Sequence, residues 1–382
     1  MSEEVRLGVI GLGNIAQQHI NNVIGGHVAG CKVSAICSRS GQSVAQQLNI
    51  SHFTDVDQLI ASGLCDAVLV ATPTYTHANI GAAVLNAGLH LLMEKPLDLS
   101  LKSAEEMLAL QKPEQVFAVM LNQRTDPLFL AMRDVIVNGT LGNITRTHWT
   151  MTNWFRPEVY FQVSDWRATW QGEGGGLLLN QCIHNLDIFQ WLCGMPSKVH
   201  AFCRFGHTHS IEVEDEATAY FEYANGASGV FIGSTGEAPG VNRFDVVGDK
   251  GSLSFDGESL WLTENQQATS EFSRNTRDMF GMPETSRREI VVDRNVNQHA
   301  LVLSNFVAAI VQDAELIAPA SEGLASLELA NAILLSSWEQ RSLKMPLNAE
   351  EYQNVLQQKL QNSSLRKKAD VQVNIDMDAS YR

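Results

Sequence analysis

Val9-Ile10-Gly11-Leu12-Gly13-Asn14-Ile15-Ala16 is the stretch on which the reading of the whole chain turns. It is a G-x-G-x-x-A loop between a short apolar run, residues 6–10, and the first helix-like stretch. Gly11 permits a tight turn, Gly13 lets the backbone approach a pyrophosphate at the helix N-terminus, and Ala16 allows close helix–strand packing. Gly11, Gly13, Asn14 and Ile15 are therefore candidate dinucleotide-binding residues. Glycines at strand ends are also ordinary turn residues, so the loop gains its weight from the domain it opens.

That domain alternates strand with helix. Residues 32–38, 67–71, 89–94 and 116–121 read as further strands, with helix-length segments between them, 76–87 and 99–110 among these. Ser100 suits the N-cap of the last helix, and Lys112-Pro113 its stop. The pattern predicts an α/β dinucleotide-binding domain over 1–123, a doubly wound parallel sheet with helices on both faces. Near Arg124 the rhythm changes. A helix is expected over 127–137, then period-two stretches at 144–150, 198–205, 217–223, 228–235, 242–247, 252–255 and 259–263. Glycine turns such as Asn225-Gly226 separate several of them. These, with helices at 298–312 and 322–341, predict an α+β domain over 124–347 built on a large, mostly antiparallel open sheet. Residues 348–382 read as a C-terminal helix, 349–361, and a polar tail whose last part, 363–382, is either an arm or disordered.

Composition narrows the class. The 382 residues exceed one ordinary domain. A formal net charge of −15 and a sequence pI near 5.1 argue against a nucleic-acid protein, which needs a basic patch. Hydrophobic residues at 45% can fill real cores, and charged residues at 18% are too few for a disordered chain. No apolar run approaches membrane-spanning length, and the start lacks a signal-peptide pattern. Cys31, Cys37, Cys65, Cys182, Cys193 and Cys203 are scattered without a Cys-x-x-Cys pair, as expected in a reducing compartment, here the cytoplasm. No set of His, Asp and Glu has metal-ligand spacing.

At the end of the second strand an NAD-preferring loop places an acid for the ribose 2′-hydroxyl. This chain has Ser38-Arg39 instead, which can hold a 2′-phosphate. The reading leans to NADP; NAD stays open, since Arg39 can equally be a solvated surface residue. Ala71-Thr72-Pro73-Thr74-Tyr75-Thr76-His77 and Glu94-Lys95-Pro96-Leu97 each come after a strand, on the carboxyl edge where doubly wound sheets bind ligands. Further on, Gly174-Gly175-Gly176 precedes a segment, 177–192, that reads as a helix carrying Asn180, His184 and Asp187 on one side. Between these lie Asn153-Trp154-Phe155-Arg156-Pro157 and Asp165-Trp166-Arg167-Ala168-Thr169-Trp170, either core packing or a lid whose tryptophans stack on sugar rings. Cys182 reads as inert packing.

In order and spacing these motifs, from residue 5 to about 345, resemble the Gfo/Idh/MocA oxidoreductases. The resemblance implies a hydride exchanged between a nicotinamide cofactor and a hydroxyl carbon of a sugar, sugar derivative or cyclitol, with no metal required. It implies that Lys95 lies beside the nicotinamide and hydrogen-bonds the reacting hydroxyl, and that His184 accepts the hydroxyl proton. Thr72, Pro73, His77, Glu94, Asn122, Trp166 and Arg167 fall at cofactor-contacting positions; Arg124, Trp154, Arg156, Asn180 and His184 fall toward substrate. It also implies a homodimer or homotetramer. One position departs: many members carry Asp where this chain has Asn180, and an amide can position a hydroxyl but adds no charge to support a protonated histidine. Two rival readings remain, a redox-neutral enzyme that cleaves glycosides with bound NAD, and a cofactor-sensing regulatory protein without chemistry.

Overall fold

A computed structural model describes residues 4–365 of the chain. They divide into two units. One comprises 4–125, 172–174 and 296–327; the other comprises 126–171, 175–295 and the residues from 328 onward.

The first unit is built on six parallel strands: β1 (Val5–Ile10), β2 (Cys31–Cys37), β3 (Ser51–Phe53), β4 (Ala67–Val70), β5 (His90–Met93) and β6 (Phe117–Val119). Their order is β3-β2-β1-β4-β5-β6, so the chain reverses its direction of winding between β1 and β4. That is the switch point where doubly wound sheets bind ligands. All four residues of β4 are buried, as a strand covered on both faces requires. Ser100 caps the helix Leu101–Leu108 by accepting from the Ser103 N–H at 3.3 Å, as its position suggested.

The units are not contiguous in sequence. The helix Gln298–Gln312 returns to the first sheet, placing Leu303, Phe306 and Val307 in one core with Val9, Leu69 and Leu92. An amphipathic helix shows that it has a core-facing side, but not which core it faces; a cut at residues 123 and 124 therefore leaves this helix out of its unit.

The second unit holds nine strands: β7 (Ile144–Met151), β8 (Lys198–Phe205), β9 (Glu214–Glu222), β10 (Ser228–Ser234), β11 (Asn242–Gly248), β12 (Gly251–Phe255), β13 (Leu260–Asn265), β14 (Thr285–Ile290) and β15 (Leu343–Lys344). Their order is β14-β13-β12-β11-β7-β10-β9-β8-β15, and only the β7–β10 pair is parallel. Alternate residues on one face are buried: Trp149 stacks on Phe244 with ring centroids 4.3 Å apart. The helix Ile183–Cys193 lies against this face, its Phe189 ring 5.3 Å from Phe221 and 5.8 Å from Phe244. The sheet thereby fixes the helix that carries His184.

The structure differs from the sequence expectations in several places. The helix expected over 177–192 begins only at Ile183, and residues 177–182 are turns. Three strands carry no sequence signal: β3 and β15 are two or three residues long, and β14 is a polar, exposed edge strand without alternation. The helix Ala349–Gln361 is present; the tail reading beyond Leu365 lies outside the described residues. Among the described residues no helix is long and apolar enough to cross a membrane.

Candidate functional site

The glycine loop is built as its sequence requires. Gly11 has φ +98°, and a Cβ there would stand 2.3 Å from the Ala71 carbonyl oxygen, so only glycine fits. Gly13 caps the helix Asn14–Ile24 with no side chain of its own, and a Cβ on it would meet nothing within 4 Å. Gly13 and Asn14 are exposed, and the first helical turn carries no acid. A helix N-terminus of this kind attracts an anionic group. The loop residues fit a dinucleotide's pyrophosphate.

At the end of β2, Ser38 Oγ is buried without a hydrogen-bond partner, and Arg39 beside it is exposed. A Cβ on Gly41 would stand 2.5 Å from that Oγ, so the small residue keeps the hydroxyl in place. His52 was not foreseen here; its Nε2 lies 2.9 Å from the Ser38 carbonyl oxygen and its Nδ1 3.0 Å from Gln42.

The loops after β4 and β5 are joined by His77. It is 1% exposed, with its two ring nitrogens 2.9 Å and 2.8 Å from the carbonyl oxygens of Thr72 and Pro96. Burial holds its pKa down against those two contacts. His77 thus holds the loops after β4 and β5 together from within the first unit. Thr72 and Pro73 are half-buried, with the Thr76 hydroxyl donating to the Pro73 carbonyl at 2.7 Å. Glu94 is likewise buried, with its carboxylate engaged by His19 at 2.7 Å and by the Lys95 N–H at 3.1 Å. Lys95 is half-buried, while Glu94, Pro96, Leu97 and Asp98 around it are buried.

In the 122–124 turn one reading is also corrected, that of Arg124. The Arg124 guanidinium is 1% exposed, ion-paired with Glu322 and donating to the Ile317 carbonyl at 3.2 Å, so it faces no substrate. Asn122 is buried and its amide donates to Gln298 at 2.8 Å. An arginine's charge is visible in sequence; the distant carboxylate that neutralises it is not.

In the second unit the chain from Gly176 onward is held by Glu214. Its buried carboxylate accepts the N–H groups of Gly176 and Leu178 at 2.8 and 2.9 Å, and its own carbonyl accepts the Leu177 N–H at 3.0 Å. These N–H groups are ones that the first turn of a helix leaves unpaired, so Glu214 caps the turns that lead into the helix Ile183–Cys193. Asn180 lies in the turns before the helix and not within it, a correction to the helix expected over 177–192; both Asn180 and His184 are half-buried. Asp187 is buried and accepts from Gln190 at 3.0 Å. Cys182 is fully buried, and burial raises its thiol pKa well beyond the ordinary value, so it is unreactive packing.

Tyr160, which the sequence did not single out, organises the aromatic stretch. Its hydroxyl accepts from Gln181 at 3.2 Å and from Arg167, and the Arg156 and Arg167 guanidiniums lie 5.2 and 4.6 Å from its ring. Arg167 also lies 4.8 Å from the Trp166 ring. Trp154 is buried and donates to Asn185 at 3.2 Å, which agrees with the core-packing alternative for this residue. His184 thus stands between two residues, Gln181 and Asn185, that each pin the 154–167 segment. A second pin also lacks a sequence signal: His209 Nε2 lies 2.7 Å from the Arg156 carbonyl, and Asp215 holds the His209 loop by accepting three backbone N–H groups. Among the described residues no group of three His, Cys, Asp or Glu side chains could hold a metal ion.

A Rossmann unit with a fitted pyrophosphate loop, joined to an open-sheet unit carrying His184, defines a nicotinamide-type oxidoreductase architecture. Residues 5–122 match the oxidoreductase family model with NAD-binding Rossmann fold, and 129–254 match the Gfo/Idh/MocA C-terminal domain. The chain belongs to the Gfo/Idh/MocA oxidoreductase family, as the motifs implied. Inositol 2-dehydrogenase of Rhizobium meliloti (strain 1021) is 27% identical over 351 residues, which cover 89% of this chain and 99% of that protein. Myo-inositol 2-dehydrogenase of Thermotoga maritima is 25% identical over 359 residues, 89% and 98% of the two chains. Among solved structures, the WlbA dehydrogenase from Chromobactrium violaceum, in complex with NADH and UDP-GlcNAcA, matches the fold. Its TM-score is 0.77 at 23% identity, covering 91% of this chain and 97% of that one.

Proposed function

We propose that the protein is a dehydrogenase that exchanges a hydride between a nicotinamide cofactor and a hydroxyl carbon of a cyclitol, sugar or sugar derivative. The observation that carries this reading is Lys95, left half-buried within a run of buried residues at the carboxyl edge of the parallel sheet. The inositol dehydrogenases among its relatives support the substrate class.

The bound nicotinamide would supply the hydride acceptor or donor. The Lys95 ammonium donates a hydrogen bond to the reacting oxygen and stabilises the negative charge that develops on it. His184, as a neutral imidazole, takes the hydroxyl proton. Asn180, from its turn, orients the substrate. Gly11, Gly13, Asn14 and Ile15 seat the pyrophosphate, and Trp166 and Arg167 are assigned to the cofactor by the family motif they match. Ser38 and Arg39 favour NADP over NAD: a buried hydroxyl without a partner and an exposed guanidinium together suit a 2′-phosphate. The exposed Phe202 and Tyr220 of β8 and β9 suit burial against a second copy, in a homodimer or homotetramer. Six free thiols suit the cytoplasm.

Absorbance at 340 nm with a panel of cyclitols and sugars tests the activity. Steady turnover is expected on at least one, with Lys95→Ala and His184→Ala each lowering kcat by about 10²- to 10⁴-fold. Cofactor binding with no turnover on any member would overturn the reading. Fluorescence titration should show tighter binding of NADPH than NADH; the reverse order would remove the Ser38-Arg39 argument alone.

A further inference from the structure

Behind the Lys95 turn lie ionisable side chains that the proposed chemistry does not use. Three elements of the first unit bring them together. The helix Asn14–Ile24 contributes His19, which is 0% exposed; the residue after β5 is Glu94; the helix Gln298–Gln312 contributes His299, which is 8% exposed. His19 Nε2 lies 2.7 Å from Glu94 Oε1, and the Lys95 backbone N–H donates to Glu94 Oε2 at 3.1 Å. The His19 and His299 rings meet edge to face with centroids 5.5 Å apart. One carboxylate oxygen is thus tied to a buried imidazole and the other to the main chain of Lys95.

We propose that His19 and Glu94 form a buried positioning pair for Lys95, with His299 as the wall that excludes water from it. The pair acts in two ways. It fixes the Lys95 main chain through a carboxylate that cannot rotate, because its other oxygen is held by His19. It also places a fixed negative charge within electrostatic reach of the Lys95 ammonium, in a region where interactions are little screened by water.

The electrostatics agree with this arrangement. Burial alone would raise the Glu94 pKa, but the His19 hydrogen bond and, after it, the positive charges around the carboxylate, Lys95 among them, hold it down to about 2. Glu94 is therefore an anion throughout the working range. Burial lowers the His299 pKa to about 4, which keeps that ring neutral, and the Lys95 charge acts in the same direction. His77 also senses the cluster, with Glu94 and Lys95 acting on it in opposite senses. A salt bridge serving only stability would have no reason to commit one carboxylate oxygen to the backbone of the residue that carries the chemistry.

This inference rests on Lys95 being the group that meets the reacting oxygen. Glu94→Gln keeps the side-chain shape and removes the charge. It is expected to lower kcat by about ten- to hundredfold while leaving the cofactor Kd within about twofold. Loss of a neighbouring anion destabilises an ammonium, so the alkaline limb of the kcat/KM profile should move to lower pH by about one unit. His19→Ala should reproduce the fall in kcat, and His19→Gln, whose amide can donate where Nε2 did, should recover most of it. A readout independent of turnover is available in the cofactor-free protein. With lysines ¹³C-dimethylated and Lys95 assigned through Lys95→Arg, the Lys95 resonance should titrate at lower pH in Glu94→Gln than in the parent.

If Glu94→Gln and His19→Ala change only the melting temperature and leave kcat, pH profile and Lys95 titration as in the parent, the pair is structural and the proposal fails. Should Glu94→Gln not fold, the contrast between His19→Ala and His19→Gln decides the matter. If Lys95→Ala is itself fully active, the reading of Lys95 fails instead. A dead Lys95→Ala beside a normal Glu94→Gln sinks the positioning pair alone.

Discussion

The two glycine turns that precede helices in this chain look alike in sequence and differ in what their missing side chains make room for. At Gly13 a Cβ would meet nothing within 4 Å. At Gly174, Gly175 and Gly176 it would press on Leu99 at 2.7 Å, Leu179 at 3.1 Å and the Glu214 carbonyl oxygen at 2.3 Å. The first turn is open toward a ligand; the second is closed on the protein, on leucine side chains at Gly174 and Gly175 and on main chain at Gly176. Within the first turn, Gly11 belongs with the closed kind, pressed on Ala71. A glycine that serves a ligand is thus recognised by open space, and one that serves the fold by a backbone atom within contact distance.

The largest effects on the fold are expected where that backbone is closest. Gly11→Ala combines a 2.3 Å approach to Ala71 with a φ of +98°, and Gly176→Ala makes a 2.3 Å approach to Glu214. Overpacking costs about 1–3 kcal/mol and a left-handed residue a further 1–2 kcal/mol or so. Gly11→Ala should therefore lose the more, and both should lower the urea midpoint far below the parent's. A Gly176→Ala protein as stable as the parent would break the distinction between the two turns.

Why one turn is legible in the sequence and the other only in part depends on where the deciding partner lies. The first loop is judged against local neighbours, a strand before it and a helix after it, and both show in the alternation. The strands of both sheets are legible for a similar reason: Ala67-Val68-Leu69-Val70 is apolar because it is buried on both faces, and β12 alternates because one face is buried. The second turn misleads because Leu177-Leu178-Leu179 continues the apolar look of the helix, while the Glu214 carboxylate that caps it lies far along the chain. Arg124 and Glu322 are the same case. Tyr160 has no signal beyond belonging to an aromatic-rich stretch. His19 does have one, since it shares the buried helical face of Ala16, Ile20 and Val23, where a titratable residue asks for a partner.

Buried histidines give the first region a second difference, acid sensitivity. The His299 pKa falls from an ordinary 6.5 to about 4 in the folded protein, chiefly by burial. Between those values the unfolded chain binds the proton and the folded one does not. The stabilisation is thus complete above pH 6.5 and lost as pH falls through 4, a change of about 3 kcal/mol. Asp98 acts in the opposite sense, because burial raises its pKa to about 6; its effect is common to parent and variant and cancels in their difference. The stability of the parent minus that of His299→Gln, from urea unfolding, should therefore shrink steadily from about pH 6.5 to 4. A constant difference would mean that His299 does not titrate with folding.

The smallest effect on the fold, and the sharpest test of the comparison, belongs to Gly13→Ser. The Gly13 backbone, φ −70° and ψ −179°, is one that any residue adopts, and it is the N-cap of the helix Asn14–Ile24. Serine is a better N-cap than glycine by a few tenths of a kcal/mol, since its hydroxyl accepts a helix N–H that glycine leaves to other partners. The substitution should leave the urea midpoint unchanged or slightly raised. The same side chain would stand where the backbone must approach a pyrophosphate, so the Kd for the nicotinamide cofactor should rise at least about tenfold, a loss of about 1.4 kcal/mol. Stability and affinity then move in opposite directions, which no packing glycine can produce. Equal cofactor affinity in Gly13→Ser and the parent would mean that the open space at Gly13 is not the cofactor's, and would remove the physical ground for setting the two turns apart.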